Sequence, residues 1–205
     1  DKELQREATI ALLNCYVKLQ NFDQMLAAAQ AVMALDKLDK DLQVKARSII
    51  ANHAFEQLEY HLAKKHYQWI VSATNSEAGA KAQYQLAYIL FLQDNFTATE
   101  DQIFQLAENF TDDYHIAKGF ILLGDVYFAQ GNLFQAKATL ESVIENHEGD
   151  ELKQLAIDKK QAIEVMELQQ DQIKEESEII IDLLKDIEID FDDLMEEEII
   201  EEDED

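Results

Sequence analysis

The sequence predicts an all-α chain of stacked helix pairs, and three observations carry that prediction. The 205 residues include no proline and only five glycines, with 47% hydrophobic. Proline and glycine interrupt helices, so their scarcity favours long helical runs. Next, the segment "LLGDVYFAQGNLFQAKATL" at 122–140 has weaker echoes displaced upstream by 37, then 36, then 38 residues. A period of this size with two apolar helical stripes marks helix pairs that stack. Finally, "QNFD" at 20–23, "QDNF" at 93–96 and "QGNL" at 130–133 put a polar Asn or Gly at each break between stripes, where helices end and restart.

Each slot of the repeat has a physical reason. A small-residue slot falls at Leu13, Ala51, Ala87 and Gly124, preceded by Leu12, Ile50, Leu86 and Leu123, which are expected on the buried face. There the first helix of a unit lies close against the second, which favours Ala or Gly. Nine residues on come Phe22, Tyr60, Phe96 and Leu133, which start the second helix and cover the gap. Twelve on stand Met25, Ala63, Thr99 and Ala136; sixteen on stand Ala29, Tyr67, Ile103 and Leu140. One such pair cannot bury its apolar face alone, so neighbouring pairs must stack.

This pattern resembles the tetratricopeptide repeat, a helix-turn-helix unit of about 34 residues. The resemblance covers residues 1–149 as four repeats at about 3–36, 41–73, 77–110 and 114–147. It is fullest in the fourth, where Phe120 takes the opening aromatic slot, followed by Leu123-Gly124, Tyr127, Ala136 and Leu140. The first three repeats put Thr9, Arg47 and Gln83 in the aromatic slot, and none has the closing proline. The resemblance implies a right-handed α-solenoid whose first helices line a concave, ligand-binding groove. The lengthened period is also similar to that of envelope-associated bacterial repeat proteins, including long Bacteroidetes ones. That likeness implies a periplasmic or cell-envelope setting and a C-terminal segment of a longer chain; the quoted chain starts at Asp1, not Met.

Residues 150–175 continue as an amphipathic helix with Leu152, Leu155, Ala162, Ile163 and Met166, expected to cap the solenoid. The composition then changes. The net charge is −26, and 171–205 carries 18 acids against Lys174 and Lys185. Residues 176–205 are therefore read as a separate acidic-hydrophobic tail, disordered or docked. So acidic a chain is unsuited to the phosphates of nucleic acid, and no apolar run reaches the length of a membrane span.

No reaction is carried by recognisable residues. His61 and His66 are five apart and do not share a helical face; His53, His115 and His147 fall in different units. There is no glycine-rich phosphate loop, Ser/His/Asp grouping or HExxH. The expectation is a non-enzymatic scaffold that needs no cofactor or metal. Cys15 sits among apolar neighbours and is expected as a buried thiol. The two "NFT" triplets at Asn95 and Asn109 fall near helix ends, where capping explains them.

The groove's expected residues come from a second stripe on each first helix, at offsets −6, −3, +1 and +4 from the small slot. These are Lys45, Ser48, Asn52 and Phe55; Lys81, Tyr84, Tyr88 and Phe91; and Lys118, Ile121, Asp125 and Phe128. The first repeat places Glu7, Ile10, Asn14 and Val17 there. A lysine column beside a phenylalanine column suits an acidic, apolar peptide of a protein partner. The competing reading leaves the lysines solvated and packs the phenylalanines between units.

The tail itself has that chemistry. Ile179, Ile180, Ile181, Leu183, Leu184, Ile187, Ile189 and Phe191 lie among its acids. Burial of one such side chain gains ~1.5–3 kcal/mol against ~0.2–1 kcal/mol for an exposed ion pair, so the tail is a candidate groove ligand, in cis or in trans. The alternative is a divalent-cation site. Asp186, Glu188, Asp190, Asp192 and Glu197 take calcium-loop places, but Phe191 stands where the sharp turn needs glycine.

Overall fold

A computed structural model describes residues 2–200, with side chains through 185. Nine helices and no strands are present among the described residues: α1 (Lys2–Lys18), α2 (Phe22–Met33), α3 (Lys40–Glu56), α4 (Tyr60–Ala73), α5 (Glu77–Phe91), α6 (Phe96–Asn109), α7 (Asp113–Ala129), α8 (Leu133–Asn146) and α9 (Asp150–Ile200). Each of the four sequence repeats holds one helix pair. Each helix from α1 to α7 packs on the next, and α3 also meets α5, as α5 meets α7.

The helices begin where local chemistry directs. Asn21, Asn95 and Asn132 cap α2, α6 and α8, each side chain accepting from the backbone N–H three residues on. Asp39 and Asp112 do the same for α3 and α7. Just before the second helix of each pair, one residue turns left-handed: Gln20, Leu58, Asp94 and Gly131, with φ of 52°, 61°, 55° and 76°. The next backbone N–H then reaches back five residues, Asn21 to Tyr16, Glu59 to Ala54, Asn95 to Leu90 and Asn132 to Tyr127, satisfying carbonyls that the ending helix leaves open. Asn109 ends α6 and donates to the Gln105 carbonyl at 2.9 Å.

The core forms in three-helix steps. One cluster joins Leu13, Ala29 and Val32 to Leu42, Ala46 and Ile50, spanning α1 to α3. The next joins Ala51, Tyr67 and Leu86 across α3 to α5, and a third joins Ala87, Ile103 and Leu123 across α5 to α7. Each pair is thus completed by the first helix of the following pair, as stacking requires. The small slot is buried in all four units. Its volume is complementary to the slot sixteen residues on: Gly124 faces Leu140, whose Cδ2 stands 3.0 Å from where a Cβ would be. In the first unit the sizes invert, with Leu13 against the small Ala29, both fully buried.

Polar pairs replace the missing aromatics. The Arg47 guanidinium lies 4.3 Å from the Trp69 ring centroid, and Gln83 donates to the Gln102 carbonyl at 3.1 Å.

Three expectations change. Cys15 is exposed, not buried, because it lies on the side of α1 away from α2 and α3. Leu12 is 51% exposed, whereas Ile50, Leu86 and Leu123 in the same slot are buried; that face is covered by a preceding pair in every unit but the first. The boundary at 175/176 does not end a helix, since α9 runs through it; a change of composition without glycine or proline leaves helix propensity intact. The chain divides into two compact units at a different point, Asp1–Ile157 and Asp158–Asp205. Leu152 and Ala156 of α9, within the first unit, are buried. No helix among the described residues is long and apolar enough to cross a membrane.

Candidate peptide-binding cleft

The first helices present their second stripe on one side of the first unit. α1 does not pack directly on α3, and beside α3, toward the start of α5, opens a cleft of ≈ 410 Å³. Its walls are Val17 of α1, Lys45, Ser48 and Asn52 of α3, and Lys81 of α5. Lys45 Nζ spans the gap and donates to Asn14 Oδ1 at 2.6 Å. At the floor, the Tyr67 hydroxyl donates to Asn52 Oδ1 at 2.9 Å. Burial pushes the Tyr67 phenol well above the ordinary tyrosine range, and the charge of Glu56 adds to this.

Two wall residues carry charge opposite to the lysines. Asp41 and Glu77 line the same cleft, each four residues before a lysine, at Lys45 and Lys81. No ion pair joins either acid to its lysine among the described residues. The lysine column is therefore interleaved with acids at this end. The i, i+4 spacing of Asp41–Lys45 and Glu77–Lys81 was the signal in the sequence for it.

Beyond the cleft, along α5, the stripe becomes a run of rings. Tyr84 and Tyr88 stack with centroids 6.1 Å apart, and Tyr88 and Phe91 stack at 6.5 Å. Phe55 of α3 meets Tyr88 at 5.9 Å and Tyr60 at 5.8 Å, and Phe91 meets Phe96 at 6.0 Å. These tilted and offset contacts are the favoured aromatic geometries. Lys118 Nζ of α7 lies 4.8 Å from the Tyr84 ring centroid. Burial, then the charges of Tyr88, Asp125 and Tyr114, raise the Tyr84 phenol well above its ordinary range.

The expected site residues thus sort by accessibility. Lys81 and Phe128 are exposed, while Lys45, Ser48, Asn52, Phe55, Tyr88, Phe91, Lys118 and Asp125 are half-buried. Ile121, at 3% exposure, and Tyr84, at 9%, are in the core, so Ile121 is not a ligand contact. Phe55 does pack between units, through Tyr88, as the competing reading held. In the tail, Ile179, Ile180, Ile181, Leu183 and Leu184 are each more than half exposed on α9. Ile187, Ile189 and Phe191, and the acids from Asp186 to Glu197, lie outside the described side chains. Among the described residues no group of three or more His, Cys, Asp or Glu could hold a metal ion.

The buried histidines have structural partners. His115 Nδ1 lies 2.7 Å from Asp112 Oδ1 and His147 Nδ1 2.7 Å from Asp113 Oδ2. Burial acts to raise the Asp112 carboxyl, but the His115 amide, ring and charge together outweigh it and hold it below its ordinary value. His66 Nδ1 is 3.4 Å from Arg47, and burial, then Arg47 and Lys65, lower its pKa.

No family model matches the chain, and no curated protein matches it. Among solved structures it is similar to the crystal structure of BtubC (BKLC) from P. vanneervenii, at 16% identity and a TM-score of 0.58, over 77% of this chain and 70% of that one. At that identity the likeness is one of fold alone: an all-α arrangement of helices packed in succession.

Proposed function

We propose that this protein is a non-enzymatic interaction scaffold of the tetratricopeptide-repeat type, which holds a peptide or helix of another protein along the α3–α5–α7 face. A right-handed superhelical course and residence in a bacterial cell envelope go with this reading. The observation that carries it is the run of rings Phe55, Tyr88, Tyr84 and Phe91, flanked by Lys81 and Lys118. Aromatic side chains offer large contact area at little loss of rotamer freedom; the half-buried Phe55, Tyr88 and Phe91, held by the buried Tyr84, are ready to receive an apolar side chain. Lys81, exposed and without an ion pair, takes a carboxylate of the ligand; Asp41 and Glu77 require a basic or neutral group at the cleft end. The chain's own segment 177–195 has the acidic, apolar character that the ring end accepts.

A labelled peptide of residues 177–195, titrated into residues 1–175 and followed by fluorescence anisotropy, tests this. Saturable binding is expected, weakened about tenfold by Tyr88→Ala, since ring anchors carry most of such binding energy. Lys81→Glu with Lys118→Glu should weaken it further and remove its salt dependence. Equal affinity of the Tyr88→Ala form would sink the reading. Weaker binding to the full chain than to residues 1–175 would show the tail occupying the face in cis.

A further inference from the structure

We infer that α9 carries a separate docking site: an apolar seam that pairs, as a two-stranded coiled coil, with a basic amphipathic helix of a partner protein. The seam is read from spacing. Met166, Ile173 and Ile180 recur every seven residues, and Leu184 falls four beyond Ile180. With Gln170 and Ser177 at the places between, the spacing is that of a heptad repeat, apolar at one of its two seam positions as far as Ile180. A strict seven-residue period suits a supercoiled pair of helices; along one straight helix the stripe drifts by about 20° per heptad. The spacing continues in the sequence at Ile187, Phe191 and Leu194.

Exposure supports it. Ile173 is 63% exposed, Ile180 56% and Leu184 56%, so from Ile173 on this seam faces water, while Met166 is half-buried. Ser177, in the seam between them, has its hydroxyl already bonded to the Ile173 carbonyl at 2.7 Å and needs no polar partner. Two ion pairs on this part of α9, Lys160–Glu164 at 3.8 Å and Lys185–Asp182 at 3.6 Å, are of the local i, i+3 and i, i+4 kind that adds only tenths of a kcal/mol to a helix. A long helix is held chiefly by burying an apolar face.

Charge selects the occupant. Residues 171–205 hold 18 acids and two lysines; Glu167 and Glu176 flank the seam, with Lys174 beside Ile173. A second copy would bring acid against acid, and an anionic lipid surface would be repelled in the same way. A helix with Lys or Arg beside its own apolar seam is complementary at both levels.

The test uses the full chain and three designed helices, each about four heptads long. One has an apolar seam with lysine flanks, one the same seam with glutamate flanks, and one a serine seam with lysine flanks. Anisotropy should show saturable binding of the first and at least about tenfold weaker binding of the others. Ile173→Ser and Ile180→Ser should each weaken it about tenfold, a single buried side chain's contribution. Both substituted positions are exposed, so circular dichroism should show unaltered helix content. Equal binding of the glutamate-flanked or serine-seam helix would overturn the proposal. So would sedimentation showing a dimer of the chain alone that Ile180→Ser dissolves.

Discussion

The Lys118 ammonium lies 4.8 Å from the centroid of the Tyr84 ring, tying α7 to α5 on the face where ligand is proposed to bind. Tyr84 is buried and Lys118 half-buried, so the cation is partly withdrawn from water, where such contacts are stronger. Lys118→Met keeps the apolar stem against the ring and removes the charge. Urea unfolding should show a loss of about 1 kcal/mol. An unchanged midpoint would mean that the ammonium is effectively solvated.

Three phenols make the fold sensitive to alkali. Burial and neighbouring acids raise Tyr67 and Tyr84 above the tyrosine range. Tyr127, by burial and then its hydrogen bond to Glu100 and that residue's charge, is pushed up to about 12. The unfolded chain ionises its phenols near pH ~10, so these groups favour the folded state fully below that pH. Their contribution is lost as pH rises from there through about 12, the Tyr127 value. Phenolate absorbance and helix loss should therefore rise together. Phenols titrating near pH ~10 with the helix signal intact would contradict this.

Leu58 has a φ of 61° and its side chain is exposed, so it bears left-handed strain without a packing return. The equivalent position in the fourth unit is Gly131. Leu58→Gly should raise stability by about 0.5–1 kcal/mol, the left-handed penalty less glycine's entropy loss. Gly131→Ala should lower it by about 1 kcal/mol. Denaturant midpoints of the two variants should move in opposite directions.

Gly79 lies where α5 begins, and a Cβ there would strike the Thr74 carbonyl and approach the Phe110 ring. A backbone oxygen cannot swing aside as a side-chain end can. Gly79→Ala is expected to destabilise by about 1–3 kcal/mol, whereas Ala98→Gly, at a half-buried position in α6, should lower stability by only about 1 kcal/mol. Equal thermal midpoints for Gly79→Ala and the parent would refute the crowding.

What the sequence determined by itself was whatever depends on neighbours along the chain. Asn21, Asn95 and Asn132 were legible as helix starts because a cap bonds three residues on. The small slot and its partner sixteen residues later were legible because both belong to one helix pair. Leu12 and Cys15 were misread because their burial depends on a helix outside their own pair. Tertiary structure alone decided which members of the second stripe reach solvent. Ile121 and Tyr84 share it with Lys81 and Phe128, yet the spacing of α3, α5 and α7 buries the first two and opens the others. It also set α1 apart from α3, so that only the long Lys45 side chain reaches Asn14. Helical periodicity fixes the side of a helix on which a residue falls; how close the next helix comes is set by side-chain volumes tens of residues away.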